Sequence, residues 1–286
     1  MDIELLKTFL EVNRTRHFGQ AAEHLHLTQS AVSARIRLLE DLLGAPLFVR
    51  ARNNVQLTPQ GERLVRHAET ILNAWSRAKH EVAVSDEAST ALSVGGIASL
   101  WDILLQDWLL RVTASVPEIA LSAEVMTNEV LIRRIRDRTL DLAFSFESPQ
   151  LPEVRVVDIA SIALVMVSTH AGLDWRAAMG RRDYVLVDWG TGFAVAHAQA
   201  FPDIPPPRFR FGLGRLAHAF VLGHGGTLYM PETVVEDELR VGKLHRVAGA
   251  PVMQRSAHAM YNPEANRDGL IDRVLVSGLG RPTPHA

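Results

Sequence analysis

The sequence contains no cysteine among its 286 residues, which excludes structural disulfides and thiolate metal sites. It also lacks an uncharged apolar run of the roughly 20 residues that a membrane-spanning helix requires. Its first residues, MDIELLKTFLEV, begin an acidic amphipathic helix and have none of the features of a signal peptide. We therefore expect a cytoplasmic protein, and the 47% hydrophobic and 22% charged content is typical of a globular chain.

An excess of positive charge is also missing, since the formal net charge is −2. Taken alone, this value argues against a nucleic-acid partner. The charge is unevenly distributed, however, because residues 1–58 carry seven lysine and arginine residues against six acidic ones, a local balance of +1. Four of the seven basic residues lie between Arg35 and Arg52. This pattern indicates a small basic footprint confined to one face of the N-terminal region.

Residues 22–36, AEHLHLTQSAVSARI, have the spacing of a helix-turn-helix. Thr28 is placed to cap the second helix. An inward stripe follows at helical spacing, made of Val32, Ile36, Leu39 and Leu43. The opposite face is slim and polar, as reading base edges in a major groove requires, and it carries Gln29, Ser30, Ser33, Ala34 and Arg37. The alternative is an ordinary helical hairpin whose polar face meets only water.

A two-stranded wing is predicted directly after this helix. Residues 47–49 form a short apolar strand after Gly44, and residues 55–57 form its return, with a tight turn at residues 53–54. The basic residues Arg50 and Arg52 then lie at the tip. A wing beside a recognition helix favours DNA binding more than either element alone. The residues expected to hold phosphates are Thr28, Arg35, Arg50 and Arg52.

Thr58 and Pro59 begin a long helix that is predicted to continue to about residue 85. Apolar residues recur along it at spacings of three and four, which is a heptad seam: Leu64, Ala68, Ile71, Trp75, Ala78 and Val82. The seam either packs on the core of its own chain or pairs with the same helix of a second copy. We favour the second copy, because two recognition helices suit a pseudo-palindromic site.

Residues 1–85 resemble the LysR-type transcriptional regulators, on the evidence of AAEHLHLTQSAVSARIRLLEDLLGAPLFVR followed by LTPQGERL. Within that family, the sequence ELLKTFLEVNRTRHFGQAAEHLHLTQSAVS with RARNNVQLT is most similar to the HdfR-like subgroup. The resemblance implies a winged helix-turn-helix domain (residues 1–58), a dimerising linker helix (59–88) and a two-lobed, periplasmic-binding-protein-like effector-binding domain (89–286). It also implies homodimers or homotetramers.

Strands and helices alternate in the C-terminal part, which makes the protein α/β overall and predicts a parallel sheet flanked by helices. A polar hinge is expected at residues 85–90. The first lobe (residues 91–160 and 264–286) is predicted to contain strands at 91–97, 121–126 and 142–146 and helices at 99–112, 128–138 and 264–275. The second lobe (161–263) is predicted to contain strands at 162–168, 184–188, 208–211, 227–230 and 253–261. The segments LDLAF and GHGGTLYMPE resemble the LysR effector domain.

Ligands in open α/β sheets bind beyond the carboxyl ends of the strands, near free helix N-termini. This rule predicts an interlobe cleft for a small-molecule effector, lined by Ala98, Ser99, Thr127, Asn128, Ser145, Phe146, Thr191 and Phe193. Simple helix capping is the alternative role for these positions, and Ser99 and Asn128 are good N-caps in any protein. No arginine is expected at these strand ends, so an anionic ligand is not required.

Other constellations predict no chemistry. His24 and His26 lack a carboxylate at metal-ligand spacing, residues 223–226 lack the lysine of a phosphate loop, and no GxSxG pattern is present. We expect no metal, no cofactor and no enzymatic activity. Two alternatives to a ligand-responsive DNA-binding regulator stay open: an enzyme fused to a DNA-binding module, and a DNA-binding protein whose C-terminal half only assembles oligomers.

Overall fold

A computed structural model describes residues 2–51, 54–83 and 90–279. The chain forms two compact units, Met1–Ser85 and Asp86–Ala286. The hinge predicted at residues 85–90 lies, except for Thr90, outside the described residues. Among the helices that the structure describes, none combines the length and the apolar character needed to cross a lipid bilayer.

The first unit contains three short helices, a hairpin and one long helix. Their bounds are α1 Ile3–Thr15, α2 Phe18–His24, α3 Gln29–Leu43, β1 Phe48–Ala51, β2 Asn54–Leu57 and α4 Pro59–Ala83. Leu6, Phe9 and Val12 on α1 are fully buried, and they belong to the same core as Val32 and Leu39 on α3. This core fixes the angle at which α2 and α3 meet.

Both ends of α3 follow the chemistry that the sequence predicts. The Thr28 Oγ1 accepts a hydrogen bond from the backbone N–H of Ala31 at 3.2 Å, and Gly44 ends the helix in the left-handed region at φ 66°. The inward stripe is shorter than predicted, because Leu43 is 45% exposed whereas Ile36 and Leu39 are buried. Leu43 is the last residue of α3, one turn beyond the buried Leu39.

Within its described residues, the second unit is built on one mixed sheet of nine strands. The strands are β3 Thr90–Gly96, β4 Ile119–Val125, β5 Leu142–Ser145, β6 Arg155–Ser168, β7 Tyr184–Val187, β8 Phe209–Phe211, β9 Thr227–Pro231, β10 His245–Arg246 and β11 Met253–Tyr261. Their order is β4-β3-β5-β11-β6-β9-β7-β8, with β10 paired to β6. The three parallel strands β3, β4 and β5 form the sheet of one lobe, and β7, β8 and β9 form that of the other.

Two long antiparallel strands join the lobes. The sequence predicts a lobe II strand at 162–168, but β6 already begins at Arg155 and is 14 residues long. Strand β11 pairs with β6 over its whole length and also with β5 of the first lobe. The hydrophobic core accordingly runs through the sheet from Trp108 to Tyr229 without a break.

Helices cover the sheet in both lobes. Those with α-helical geometry are α5 Ala98–Leu100, α6 Gln106–Ser115, α7 Asn128–Arg136, α8 Trp175–Gly180, α9 Thr191–Ala200, α10 Gly214–His224, α11 Glu232–Arg240 and α12 Leu270–Leu279. The predicted helix 99–112 is interrupted by a π-helical turn at Trp101–Leu105. The helix predicted to begin at residue 264 begins at Leu270, because Asp268 has a left-handed backbone at φ 51° and breaks the chain into short 3₁₀ turns.

Candidate nucleic-acid interface and interlobe cleft

The polar residues predicted on the second helix of the helix-turn-helix lie on one surface of α3. Gln29, Ser30, Ala34 and Arg37 are exposed and Ser33 is half-buried, while Val32 on the opposite side is fully buried. Thr28 bonds Ser30 through their hydroxyl oxygens at 3.0 Å in addition to capping the helix. Ser30, Ser33 and Ala34 have short side chains that keep the middle of the face slim, and its one permanent charge is that of Arg37.

Arg35 has a different environment from the phosphate contact that the sequence predicts. Its Nη1 donates to Thr8 Oγ1 at 3.3 Å and lies 3.8 Å from Glu4 Oε2. The side chain is 31% exposed and points toward α1. To contact a phosphate, Arg35 must give up its contacts with Thr8 and Glu4. Its role as a phosphate ligand therefore stays a prediction.

The wing is an antiparallel hairpin anchored to the helical core. Its register pairs Phe48 with Leu57, and the ring of Phe48 lies 5.3 Å from that of Phe9 on α1. Glu40 on α3 accepts hydrogen bonds from the backbone N–H groups of Leu47 at 2.7 Å and Phe48 at 3.3 Å. The recognition helix and the wing are thus fastened to each other through one carboxylate.

The tip of the wing is only partly described. Arg52 and Asn53, which carry the predicted turn, lie outside the described residues, and only the backbone of Arg50 is described. Their proposed contacts with phosphates stay predictions.

The heptad seam on α4 divides into two halves with different environments. Ala68 is fully buried, and Leu64 and Ile71 pack against the core of the first unit. Trp75 is 47% exposed and Val82 is 86% exposed, and Ala78 between them is exposed as well. The first half of the seam packs on its own chain, which was the alternative interpretation, and the second half leaves an apolar row uncovered.

The strand ends of the first lobe converge through hydrogen bonds. Ser145 Oγ donates to Asn128 Oδ1 at 2.6 Å and accepts from the backbone N–H of Glu147 at 2.9 Å. Asn128 begins α7, and its neighbour Thr127 is exposed. Two of the predicted cleft residues, Ser145 and Asn128, therefore contact each other directly.

Glu147 connects this group to the second lobe. Its Oε1 accepts the backbone N–H of Thr191, the first residue of α9, at 3.2 Å, and lies 3.5 Å from Arg255 Nη2. The carboxylate thus sits at the N-terminus of a helix, where free N–H groups favour negative charge.

Arg255 is a cleft residue that the sequence analysis missed. It lies within β11, where alternation predicts an ordinary strand residue, and only its long side chain reaches the strand ends. Its Nε donates to the carbonyl oxygen of Trp189 at 3.0 Å, and its guanidinium lies 5.1 Å from the ring of Phe146. Burial lowers the pKa of Arg255 below its ordinary value, and the charge of Glu147 opposes that shift. Gly192 keeps room for it, because a Cβ there would lie 2.0 Å from Arg255 Nη1.

Two predicted cleft residues belong to the core instead. Phe193 is 2% exposed and its ring lies 5.6 Å from that of Tyr229 inside the second lobe. Phe146 is 4% exposed and belongs to the main core. Both positions follow the strand ends in sequence, but their aromatic side chains turn away from solvent because burying them is more favourable.

A cavity of about 100 Å³ lies between the lobes next to Ser99. Ser99 and Asp102 line it from the first lobe, and Trp189 and His218 line it from the second. The indole Nε1 of Trp189 donates to the carbonyl oxygen of Tyr229 at 3.0 Å, which fixes the ring. Ser99 is the one member of the predicted cleft set that lines this cavity, and Ala98 beside it is half-buried.

Family comparisons cover both units. The family described as "Bacterial regulatory helix-turn-helix protein, lysR family" matches residues 3–62, and the one described as "LysR substrate binding domain" matches residues 85–275.

Similar proteins match the chain along its whole length. The HTH-type transcriptional regulator HdfR of Yersinia enterocolitica is 37% identical over 297 residues, covering 100% of this chain and 99% of the relative. The protein of the same name from Yersinia pestis is 36% identical over 292 residues, covering 99% and 98%.

Solved structures share the fold, among them two of CbnR. The crystal structure of CbnR, a LysR family transcriptional regulator, superposes with a TM-score of 0.74 at 20% identity and covers 98% of this chain and 99% of that one. Full-length CbnR complexed with its target DNA gives a TM-score of 0.69 at 21% identity, with the same coverage.

Proposed function

The chain belongs to the LysR family of DNA-binding transcriptional regulators, and from this premise we propose how it recognises DNA and how it is regulated. The helix α3 enters the major groove and reads base edges with Gln29, Ser30, Ser33, Ala34 and Arg37. Thr28, Arg35, Arg50 and Arg52 contact phosphates. The exposed polar face of α3, opposite the buried residues Val32, Ile36 and Leu39, is the observation that carries this assignment.

The recognition helix can be tested with Gln29→Ala. A glutamine that contacts a base edge in two places contributes about 1–3 kcal/mol of discrimination, so operator affinity is expected to fall roughly 5- to 150-fold while affinity for random duplex stays within about twofold. Binding is measured by fluorescence anisotropy on an operator found by genome-wide mapping of bound DNA. Gln106→Ala, an exposed glutamine on the second unit, is the matched control.

Equal weakening on both duplexes would show that Gln29 does not read bases. Arg52→Ala is the complementary variant. It is expected to weaken all DNA alike and to reduce the dependence of affinity on salt by about one unit of slope, as the loss of one phosphate contact should.

The protein acts as a homodimer or homotetramer in this proposal, with paired α4 helices that fix the distance between two recognition helices. The exposed row formed by Trp75, Ala78 and Val82 supports this pairing. An uncovered apolar seam is typical of a helix that packs against a partner helix. Two recognition helices related by a two-fold axis suit a pseudo-palindromic operator. A regulator that acts on chromosomal DNA in a bacterium works in the cytoplasm.

The second unit is proposed to bind a small-molecule effector between its lobes and so to shift the arrangement of the DNA-binding units. Such a shift requires unequal affinity of the effector for the two arrangements. The cavity beside Ser99 supports this proposal, because it lies between the lobes and combines a mostly apolar lining with a few polar side chains, those of Ser99, Asp102 and His218, as small-molecule sites do.

A second function for this unit, oligomer assembly alone, is favoured by one observation. Glu147 and Arg255 already occupy part of the cleft with the chain's own side chains. Thermal unfolding with a metabolite panel distinguishes the two, because a ligand at a hundredfold excess over its Kd stabilises the folded protein by about 2.7 kcal/mol. If no metabolite changes either stability or operator affinity, the effector proposal is wrong and assembly alone remains.

A further inference from the structure

One carboxylate in the lining of the interlobe cavity has an oxygen whose hydrogen-bonding capacity is unused. Asp102 lines the cavity, and its Oδ2 is buried and accepts no hydrogen bond from the residues that the structure describes. Its Oδ1 lies 3.9 Å from Arg215 Nε, but the Arg215 side chain is 77% exposed and the Asp102 side chain 19%. A pair of this length with an exposed cation is weak, so it does not compensate for burying the carboxylate.

A second residue of the cavity lining, His218, also has a polar atom without a hydrogen bond in the described part of the chain. His218 Nε2 is buried and makes no hydrogen bond within the described ranges, and it lies 3.7 Å from Glu238 Oε1. The histidine and glutamate side chains are 14% and 22% exposed. The cavity lining thus contains one carboxylate, Asp102, and one permanent cation, Arg215, whose side chain is mostly exposed to solvent.

The nearby position that suits an anion is already taken. The N-terminus of α9 donates the N–H of Thr191 to Glu147, and Arg255 lies beside the same carboxylate. A carboxylate ligand would have to displace Glu147 from both groups. A donor ligand at Asp102 meets weaker competition, from the exposed side chain of Arg215, and the oxygens of an ionised carboxylate only accept hydrogen bonds.

We infer that this cavity binds a small organic amine, whose ammonium group donates to the carboxylate of Asp102 and whose apolar body packs against Trp189 and Met230. The inference rests on the proposed effector function and names its ligand class. A charge-assisted hydrogen bond to a buried carboxylate is among the stronger polar contacts in proteins, and the indole and thioether side chains supply the apolar contact area. The two-lobed position places the amine against residues of both lobes at once.

The test uses the full-length protein and two matched pairs of probes. Thermal unfolding is followed with benzylamine and phenethylamine, and in parallel with benzoate and phenylacetate, at constant ionic strength. The amines are expected to raise the Tm in a concentration-dependent way, and the carboxylates are not. Asp102→Asn is expected to weaken the apparent amine affinity at least tenfold, while Asp107→Asn, an exposed carboxylate on α6, leaves it unchanged.

A second variant acts in the opposite direction. Arg215→Ala removes the cation that competes with the amine for Asp102, so amine affinity is expected to rise severalfold. Because the Arg215 side chain is mostly exposed, the variant should fold normally. The inference is overturned if neither amine shifts the Tm, if the carboxylates shift it equally, or if Asp102→Asn responds like the wild type.

Failure of the proposed function is seen in a different measurement. Operator affinity is measured by anisotropy with and without benzylamine. Amine binding that depends on Asp102 but leaves operator affinity unchanged supports the binding site and refutes its regulatory role. Absence of amine binding, with operator discrimination intact, refutes the site and leaves DNA recognition unaffected.

Discussion

Replacing Trp75 with glutamate tests whether α4 joins two copies of the protein. Trp75 is 47% exposed, and because a large aromatic side chain buries up to about 250 Å², each copy has roughly 120 Å² of indole left to cover. Covering this surface in both copies at roughly 25 cal/mol per Å² contributes about 6 kcal/mol to a dimer. Losing it raises the dimer dissociation constant by about four powers of ten.

The assay is sedimentation velocity across a range of protein concentrations. Wild type is expected to sediment as a dimer or tetramer at micromolar concentration, and Trp75→Glu as a monomer with an unchanged circular dichroism spectrum. Val82→Glu, further along the exposed row, is expected to act in the same direction. Val241→Glu changes a comparably exposed valine on the second unit and is the control. If Trp75→Glu and wild type have the same oligomeric mass, the paired-helix reasoning is refuted.

Two buried contacts, one in each unit, give further predictions. His197 is 6% exposed, and its Nε2 lies 2.7 Å from the hydroxyl of Tyr184. Burial lowers the pKa of His197 in the folded protein. Below about pH 6.5 this histidine therefore binds a proton in the unfolded chain before it does so in the folded one, and the folded protein loses stability as the pH falls. His197→Gln should flatten the decline in Tm between pH 7 and 5, and an identical decline would contradict this. Glu40→Ala removes the carboxylate that accepts from the N–H groups of Leu47 and Phe48. It should lower the free energy of unfolding of the first unit by about 1.5–3 kcal/mol in urea. Replacing the exposed neighbour Asp41 with alanine should lower this free energy much less, and an equal decrease would refute the anchoring role of Glu40.

The elements that the sequence predicts best are those set by local chemistry. Thr28 is a helix cap that needs only its own backbone and that of Ala31. Thr58 similarly accepts from the N–H of Gly61 at 3.0 Å while donating to the carbonyl oxygen of Pro46 at 2.7 Å. Both patterns are readable because cap and partner lie within three residues of each other. The helix-turn-helix and the start of α4 follow from them.

Contacts between segments that are distant in the sequence could not be predicted from residue patterns. Arg255 reaches Phe146 across 109 positions of chain, so no spacing rule identifies it as a cleft residue. The same limit applies to Arg35, which is turned toward Thr8 on α1 by a contact 27 positions away. Periodicity assigns a residue to a face of its helix or strand, but the length and charge of the side chain determine what it reaches.

Backbone departures from regular geometry are equally hard to predict. The π-helical turn at Trp101–Leu105 replaces a stretch whose residues all suit an α-helix, and its cause lies in packing: Trp101 Nε1 donates to the carbonyl oxygen of Glu124 on the neighbouring strand at 3.1 Å. Two turns after Trp101, Trp108 is fully buried against Phe144, with ring centroids 5.0 Å apart. Two indoles with separate partners fix both ends of this segment, and the backbone between them accommodates the extra residue.

The Glu147–Arg255 pair bears on how a cleft of this kind responds to a ligand. Glu147 belongs to the first lobe, Thr191 to the second, and Arg255 to the strand that joins them, so their contacts hold the lobes together with the chain's own atoms. The Glu147 side chain is 34% exposed and that of Arg255 is 11%, which makes the carboxylate the more accessible and more readily exchanged partner. A ligand that binds between the lobes therefore acts on an arrangement that already has interlobe bonds. The internal bonds are present with or without the ligand. The ligand therefore shifts the population of this arrangement only by the difference between its binding free energies to this arrangement and to the alternative one.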